Sequence, residues 1–219
     1  LPQQKIIEVT IEPDYIRFGD VVVSESRKNT YLKNSPVKIE VIPQREIDRF
    51  FGTTLTEVCE FTPGLKVQNN CGVCGTTDIR IQGLEGQYTQ MLINGFPVVS
   101  SLGTVYGLMG INSSNIKQIE IVKGPGSILY GPEALAGTIN VILKKPTELP
   151  ALLINGSISD YHKTMFSISG TKRWNNIASS ATIDYSQNKK RVDINNDGFT
   201  STPLFERISF VNQWMGNFK

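Results

Sequence analysis

A single histidine, three cysteines and no apolar run of about 18 residues define what this 219-residue chain lacks. His162 stands beside Tyr161 in a polar turn. With one histidine and no pair of carboxylates placed for acid–base work, no Ser/His/Asp arrangement can be assembled, and the chain reads as a non-enzyme. The missing apolar run excludes a transmembrane helix. It leaves barrel strands open, because these carry only a weak alternating signal. There is no basic block either. The 22 Lys and Arg residues mix with 20 Asp and Glu for a net charge of +2, so nothing calls for a nucleic-acid partner. Cys59, Cys71 and Cys74 are odd in number and do not make a disulfide framework. The start at Leu1 shows no charged n-region followed by an apolar h-region, so no signal peptide is expected within the chain. The pattern at Lys219 breaks off inside a strand-like stretch, as expected of a piece of a longer protein.

What is present suits folding. Apolar residues make up 39% and charged residues 19%, and the length allows one good core, or one domain plus part of another. Residues 6–12 alternate as one strand, and a Gly19-Asp20 turn leads into Val21-Val22-Val23-Ser24. Residues 25–36 are polar and read as a flexible linker. A short strand at 37–42 closes at Pro43. Residues 46–61 then read as helix in two pieces, with Ile47, Phe50 and Phe51 on one face of the first. In the second piece, Thr54 and Glu57 have capping-box spacing, Leu55, Val58 and Cys59 form the buried stripe, and Pro63-Gly64 ends the helix.

From Leu65 onward short strands take over: 65–67, 79–81, and 91–93 turning at Asn94-Gly95 into 97–99. A glycine-rich loop covers 100–110. A strand at 116–122, two helical turns within 127–137 and a strand at 138–144 complete a small α+β domain with a mixed sheet and long loops. After Pro146 the texture changes to long strands at 152–160, 164–172, 177–186 and 205–218. Ile177, Ala181, Ile183 and Tyr185 share one parity, and Ser180, Thr182, Asp184 and Ser186 share the other. Ile208, Phe210 and Trp214 likewise alternate with Ser209 and Gln213. Strands of about ten residues, apolar outward and polar inward, fit a membrane barrel with a wet lumen. Periodicity alone equally allows a soluble sandwich.

One motif series narrows this. IEIVKGPGSILYG (119–131) and its continuation PEALAGTINVI (132–142) resemble the signature of the plug of TonB-dependent outer-membrane receptors, I-E-V-x-R-G-P-x-S-x-x-Y-G-x-x-A-x-x-G-x-I-N-I-I. Upstream, PGLKV (63–67), IRIQG (79–83) and LINGFPV (92–98) resemble further plug segments in the same order. The resemblance covers about 20–146, while 151–219 match only by barrel texture. It implies four regions. These are a remnant of a carboxypeptidase-regulatory-like domain (1–18), a TonB box with linker (19–36), the plug (37–148) and the first antiparallel strands of a truncated β-barrel (149–219). It also implies a bacterial outer-membrane location with the plug facing the periplasm.

The resemblance assigns roles to residues. Asp20, Val21, Val22, Val23 and Ser24 stand where TonB, the inner-membrane energy-coupling partner, would grip the chain by β-augmentation. Arg80, Glu120 and Lys123 are the plug charges expected to lock onto the barrel. The family usually has Arg at the last position, and Lys keeps the charge without the bidentate fork. Loops 68–77 and 95–110 are expected to face outward, with Tyr88, Gln90, Tyr106 and Met109 touching ligand. Cys71-Gly72-Val73-Cys74 suits a disulfide in an oxidising outer membrane. Two further readings are half of a copper(I) or zinc site and a redox pair, though no helix pattern follows the motif. Cys59 reads as a buried, inert thiol.

Asp193, Asn195 and Asp197, with Gly198, match the first half of a calcium loop, but Leu204 stands where the closing Glu should be. Calcium is therefore a candidate, and no other cofactor is implied. The function implied is energy-coupled import of a scarce ligand such as a cobalamin, haem, siderophore or metal complex. The cysteine pair and the segment 82–90 resemble Bacteroidetes receptors for cofactor-sized or metal ligands. The alternatives are a glycan importer working with a surface lipoprotein, a soluble binding or adhesion module, and a redox enzyme built on Cys71 and Cys74.

Overall fold

The computed structural model describes residues 21–22, 30–31, 39–49, 54–71, 76–98, 111–125, 130–159, 163–194, 196–198 and 200–216, with only the backbone at 21–22, 30–31 and 69–71. The first described elements are two short strands, β1 (Val21–Val22) and β2 (Thr30–Tyr31), paired antiparallel. Residues 25–36 thus hold a strand that folds back on the valines, where a flexible linker is expected. Val, Thr and Tyr all favour extended backbone, and the linker's polar composition hides this. The expected strand at 6–12 lies outside the described residues.

The domain that follows has β3 (Ile39–Pro43), α1 (Gln44–Ile47), α2 (Leu55–Glu60), β4 (Leu65–Cys71), β5 (Thr76–Ile81), β6 (Thr89–Ile93), β7 (Phe96–Pro97), β8 (Ile116–Lys123) and β9 (Gly137–Leu143). Its main sheet has the order β3-β8-β9-β6-β7, antiparallel except for the parallel pair β6 and β9. β8 owes its inner place, between β3 and β9, to a β-branched run that buries on both faces. Ile119 and Ile121 join Ile47, Leu55, Val58, Cys59, Ile81, Ile139 and Val141 in the main core. Val122, on the opposite face, packs with Ile39 and Val41. Each fully buried isoleucine contributes roughly 1.5–3 kcal/mol.

Local chemistry sets the boundaries. α2 begins at Thr54, whose N–H donates to Glu57 Oε2 at 3.3 Å, and it buries Leu55, Val58 and Cys59 as the spacing predicts. α1 starts directly after Pro43 and ends at Ile47, earlier than expected, while Phe50 and Phe51 lie outside the described residues. Asn94 and Gly95 both have positive φ, 51° and 82°, the conformation a tight hairpin turn demands. Gly137 opens β9 at φ 145°, and a Cβ there would lie 2.1 Å from the Val122 carbonyl oxygen. Only glycine lets β9 approach β8 this closely.

Two expectations change. Of residues 68–77, expected as an outward loop, 68–71 and 76–77 belong to paired strands. β4 and β5 pair Gln68 with Asp78 and Asn69 with Thr77, with a bulge before Cys71–Thr76. Ladder bonds come from the backbone, so polar side chains gave no alternation to read. Between 130 and 137 the 3-10 turn Pro132–Ala134 starts with proline, and Tyr130 before it is also in 3-10 conformation. The rest of the expected helical stretch, 127–129, lies outside the described residues.

The remainder is an antiparallel meander, β10 (Leu152–Ile158), β11 (Thr164–Arg173), β12 (Ile177–Asn188) and β13 (Phe205–Gly216), in sequential order and open at both edges.

Candidate functional site

The meander wears its polarity inside out. Along β12, Ser180, Thr182 and Asp184 are buried, while Ile177 and Ile183 are exposed. In β11, Ser167 and Ser169 are buried and Phe166 and Ile168 exposed; in β13, Ile208, Phe210 and Trp214 are exposed. A water-soluble sheet does the reverse. The apolar face suits hydrocarbon and the polar face suits a wet interior. Trp174 and Trp214 stack with ring centroids 6.2 Å apart at the end of this face where the short β11–β12 turn lies, as interfacial aromatics do.

The polar face meets the mixed domain at the turn that precedes β8. Asn112 caps this turn by accepting the Ser114 N–H at 2.9 Å. Asn115 Nδ2 donates to Thr182 Oγ1 at 3.3 Å, and Thr182 and Ser169 hydroxyls share a 2.8 Å bond. Elsewhere Lys163, in the β10–β11 turn, donates to Glu57 Oε1 at 2.7 Å. Glu57 therefore serves both its helix cap and the meander. Arg173 donates to the carbonyls of Thr147 and Leu149 at 3.0 and 2.7 Å, pinning the chain where it leaves the mixed domain.

Residues 32–138 match the TonB-dependent Receptor Plug Domain family. This part of the chain is a plug domain of the TonB-dependent receptors. The chain is 26% identical over 86% of its length to a vitamin B12 transporter, BtuB, of Photobacterium profundum, and it spans 32% of that protein. It is 30% identical over 57% of its length to the iron-regulated outer membrane virulence protein of Vibrio cholerae, of which it spans 20%. Among solved structures, the ferric yersiniabactin uptake receptor FyuA of Yersinia pestis superposes with TM-score 0.61 at 20% identity, over 81% of this chain and 28% of that one. FpvA of Pseudomonas aeruginosa, bound to pyoverdine, superposes with TM-score 0.63 at 17% identity, over 81% of this chain and 26% of that one. These likenesses establish the shared fold. The mixed domain is the plug, the meander is barrel wall, and the family's place is the outer membrane with the plug toward the periplasm.

The predicted site residues do not converge. Of the coupling segment, Val21 and Val22 form β1, and Asp20, Val23 and Ser24 lie outside the described residues. Of the charges expected to lock the plug, Glu120 is fully buried, accepting from Gln118 Nε2 at 2.8 Å and Asn140 Nδ2 at 3.1 Å. Lys123 pairs with Glu40 and donates to the Pro63 carbonyl at 2.6 Å. Arg80 lies 3.9 Å from Asp78. These partners of the three charges belong to the plug itself, while Glu57 and Asn115 make bonds to the wall. Tyr88 is half-exposed at the end of a 3-10 turn. Gln90 is buried in β6, its amide donating to the Met91 carbonyl at 2.8 Å, so it offers a ligand no free surface. Tyr106, Met109 and Cys74 lie outside the described residues, as does Asn195. The Cys71 backbone pairs with Thr76 in the hairpin. Cys59 is buried, and burial pushes its thiol up to about 12. Asp193 accepts from the Asp197 and Gly198 amides at 3.2 and 2.9 Å, shaping the acidic loop. Among the described residues no three His, Cys, Asp or Glu side chains gather as metal ligands.

Sequence reading missed Asn140. It accepts the Gly95 N–H at 2.9 Å and donates to Glu120, joining the hairpin turn to the buried carboxylate. Asn94 Oδ1 accepts from the Leu143 N–H in the same way. A polar residue inside the β-branched run of β9 was the available signal.

Proposed function

We propose that the chain is the plug and first wall strands of a TonB-dependent importer that carries a cobalamin or an iron–siderophore complex across the outer membrane. The observation that carries the reading is the inverted wall. A sheet with lipid-suited side chains outside and hydroxyls inside, hydrogen-bonded to a plug, is a gated pore rather than a soluble module. Relatives named as a vitamin B12 transporter and as an iron-regulated outer-membrane protein support the ligand class. They do not favour a glycan importer or an enzyme.

In this reading the segment Asp20–Ser24 is the handle for TonB. The β1–β2 pairing spans two residues, so a strand of TonB that adds to the same edge displaces very little. Arg80 and Lys123 face later barrel strands and lock the plug to them, with Glu120 stiffening the plug from within. Tyr88, with Tyr106 and Met109, forms part of the ligand floor. Cys71 and Cys74 form a disulfide that shapes the hairpin tip, and Asp193, Asn195 and Asp197 take calcium. The test is uptake by the intact receptor in cells lacking their own B12 and siderophore receptors. TonB-dependent accumulation of labelled cobalamin or of a ferric siderophore is expected. Accumulation of neither, with the receptor present in the outer membrane, rejects the proposal.

A further inference from the structure

Between plug and wall lies a cavity of about 10 Å³, the room one water-sized body needs. Its polar lining is Asn112 from the plug and Asp184, Ser186 and Ser209 from the wall, with Met165 and Phe166 on its apolar side. The register puts three of the wall's polar residues in one row. Asp184 faces Ser167 across β11–β12 and Ser209 across β12–β13. The carboxylate is enclosed, with Asp184 only 8% exposed. The Ser167 hydroxyl and the Asn112 amide are its hydrogen-bonding neighbours, though neither meets a carboxylate oxygen in full hydrogen-bond geometry. Among the described residues no lysine or arginine lines the cavity.

Burial disfavours the charged form of Asp184, so an enclosed carboxylate of this kind either takes up a proton or gains a counter-charge. The groups around it bear oxygen, the ligand that hard cations select. Asn112 Oδ1 already accepts the Ser114 N–H, which fixes its position and leaves a second lone pair. One carboxylate balances one unit of charge, and no second acidic side chain lines the cavity to suit a divalent ion. We propose that Asp184, with Ser167, Ser209 and the plug's Asn112, holds one monovalent cation of the sodium class that ties the wall to the turn preceding β8. The ion is then a removable stitch beside the neutral Asn115–Thr182–Ser169 hydrogen bonds of the junction.

The experiment compares thermal release of the plug from the intact, detergent-solubilised receptor in sodium chloride and in choline chloride at equal ionic strength. Choline is too large for the cavity. A higher Tm in sodium is expected for the wild type. Asp184→Asn should abolish the difference and, in choline, melt above the wild type, because the unpaired charge is gone. Equal melting of the wild type in both salts, as a trapped water or a protonated carboxyl would give, overturns the proposal. So does a sodium effect that survives in Asp184→Asn. Should that variant fail to assemble, Ser209→Ala removes one oxygen and must raise the sodium concentration at half-effect; an unchanged midpoint also overturns the site. Uptake is not the readout, so failure here leaves the transport reading standing.

Discussion

The plug sheet and the wall sheet use the same residue types for opposite ends. In β8 Ile119 and Ile121 are fully buried. In β12 and β13, Ile183 and Phe210 are 54% and 65% exposed, while Thr182 is 3% exposed. The difference lies in the solvent each surface meets. The plug folds in water and gains by removing apolar area from it. The wall's outer face meets hydrocarbon, where an isoleucine costs nothing and a backbone polar group must pair within the sheet. Two kinds of core follow. The plug has a packed apolar interior. The plug–wall junction is a polar seam of small hydroxyls and amides, with Asn115, Ser169 and Thr182 at its centre. Such a seam joins plug and wall without large apolar burial.

The contrast can be broken by substitution, beginning with the largest effect. Gly137→Val should destabilise the plug by more than about 4 kcal/mol, since its Cβ falls on the Val122 carbonyl at a φ that L-residues avoid. Limited proteolysis of the intact receptor would show a plug cut under native conditions; a resistant plug refutes the account of that strand pair. Ile119→Ala should cost the plug about 2–5 kcal/mol through a cavity in the core, read from its melting. The matched change in the wall, Phe210→Arg, should cost about 2–4 kcal/mol of membrane insertion. If Phe210→Arg inserts as well as the wild type, the outward face is not lipid-facing.

Smaller effects sharpen the seam. Glu57→Gln with Lys163→Met, measured as a double-mutant cycle on plug release, should give a coupling of about 0.2–1 kcal/mol, falling with added salt. Ionisation of Cys59 should have no effect on stability at neutral pH. Its folded pKa is raised from 9.0 to about 12, so the folded state keeps the neutral thiol. The associated stability is fully present below pH 9 and is lost as pH climbs toward 12. Iodoacetamide at pH 8 should therefore leave Cys59 unmodified until the plug unfolds, and rapid labelling of the native receptor would place the thiol at the surface.

Much of this architecture could be read from local chemistry. The Thr54–Glu57 box, the Asn94-Gly95 turn and the β8 run all act within a few residues, and the structure has them where spacing predicts. The β4–β5 hairpin was hidden because its ladder carries polar side chains. Gln90 misled because a strand position near the family's outer loops does not reveal burial. The partners of Lys123 and Glu57, Glu40 and Lys163, lie far away in sequence, and pairing over such distances leaves no local pattern.

By itself, then, the sequence determined the family, the strand parities and the division into plug and wall, because periodicity and turn residues are short-range properties of the chain. Only the tertiary structure decided which parity faces the plug, which charges pair within it, and that Asp184 sits enclosed between two serines opposite Asn112. Those are consequences of bringing distant segments together, where burial and the dielectric around a charge are set.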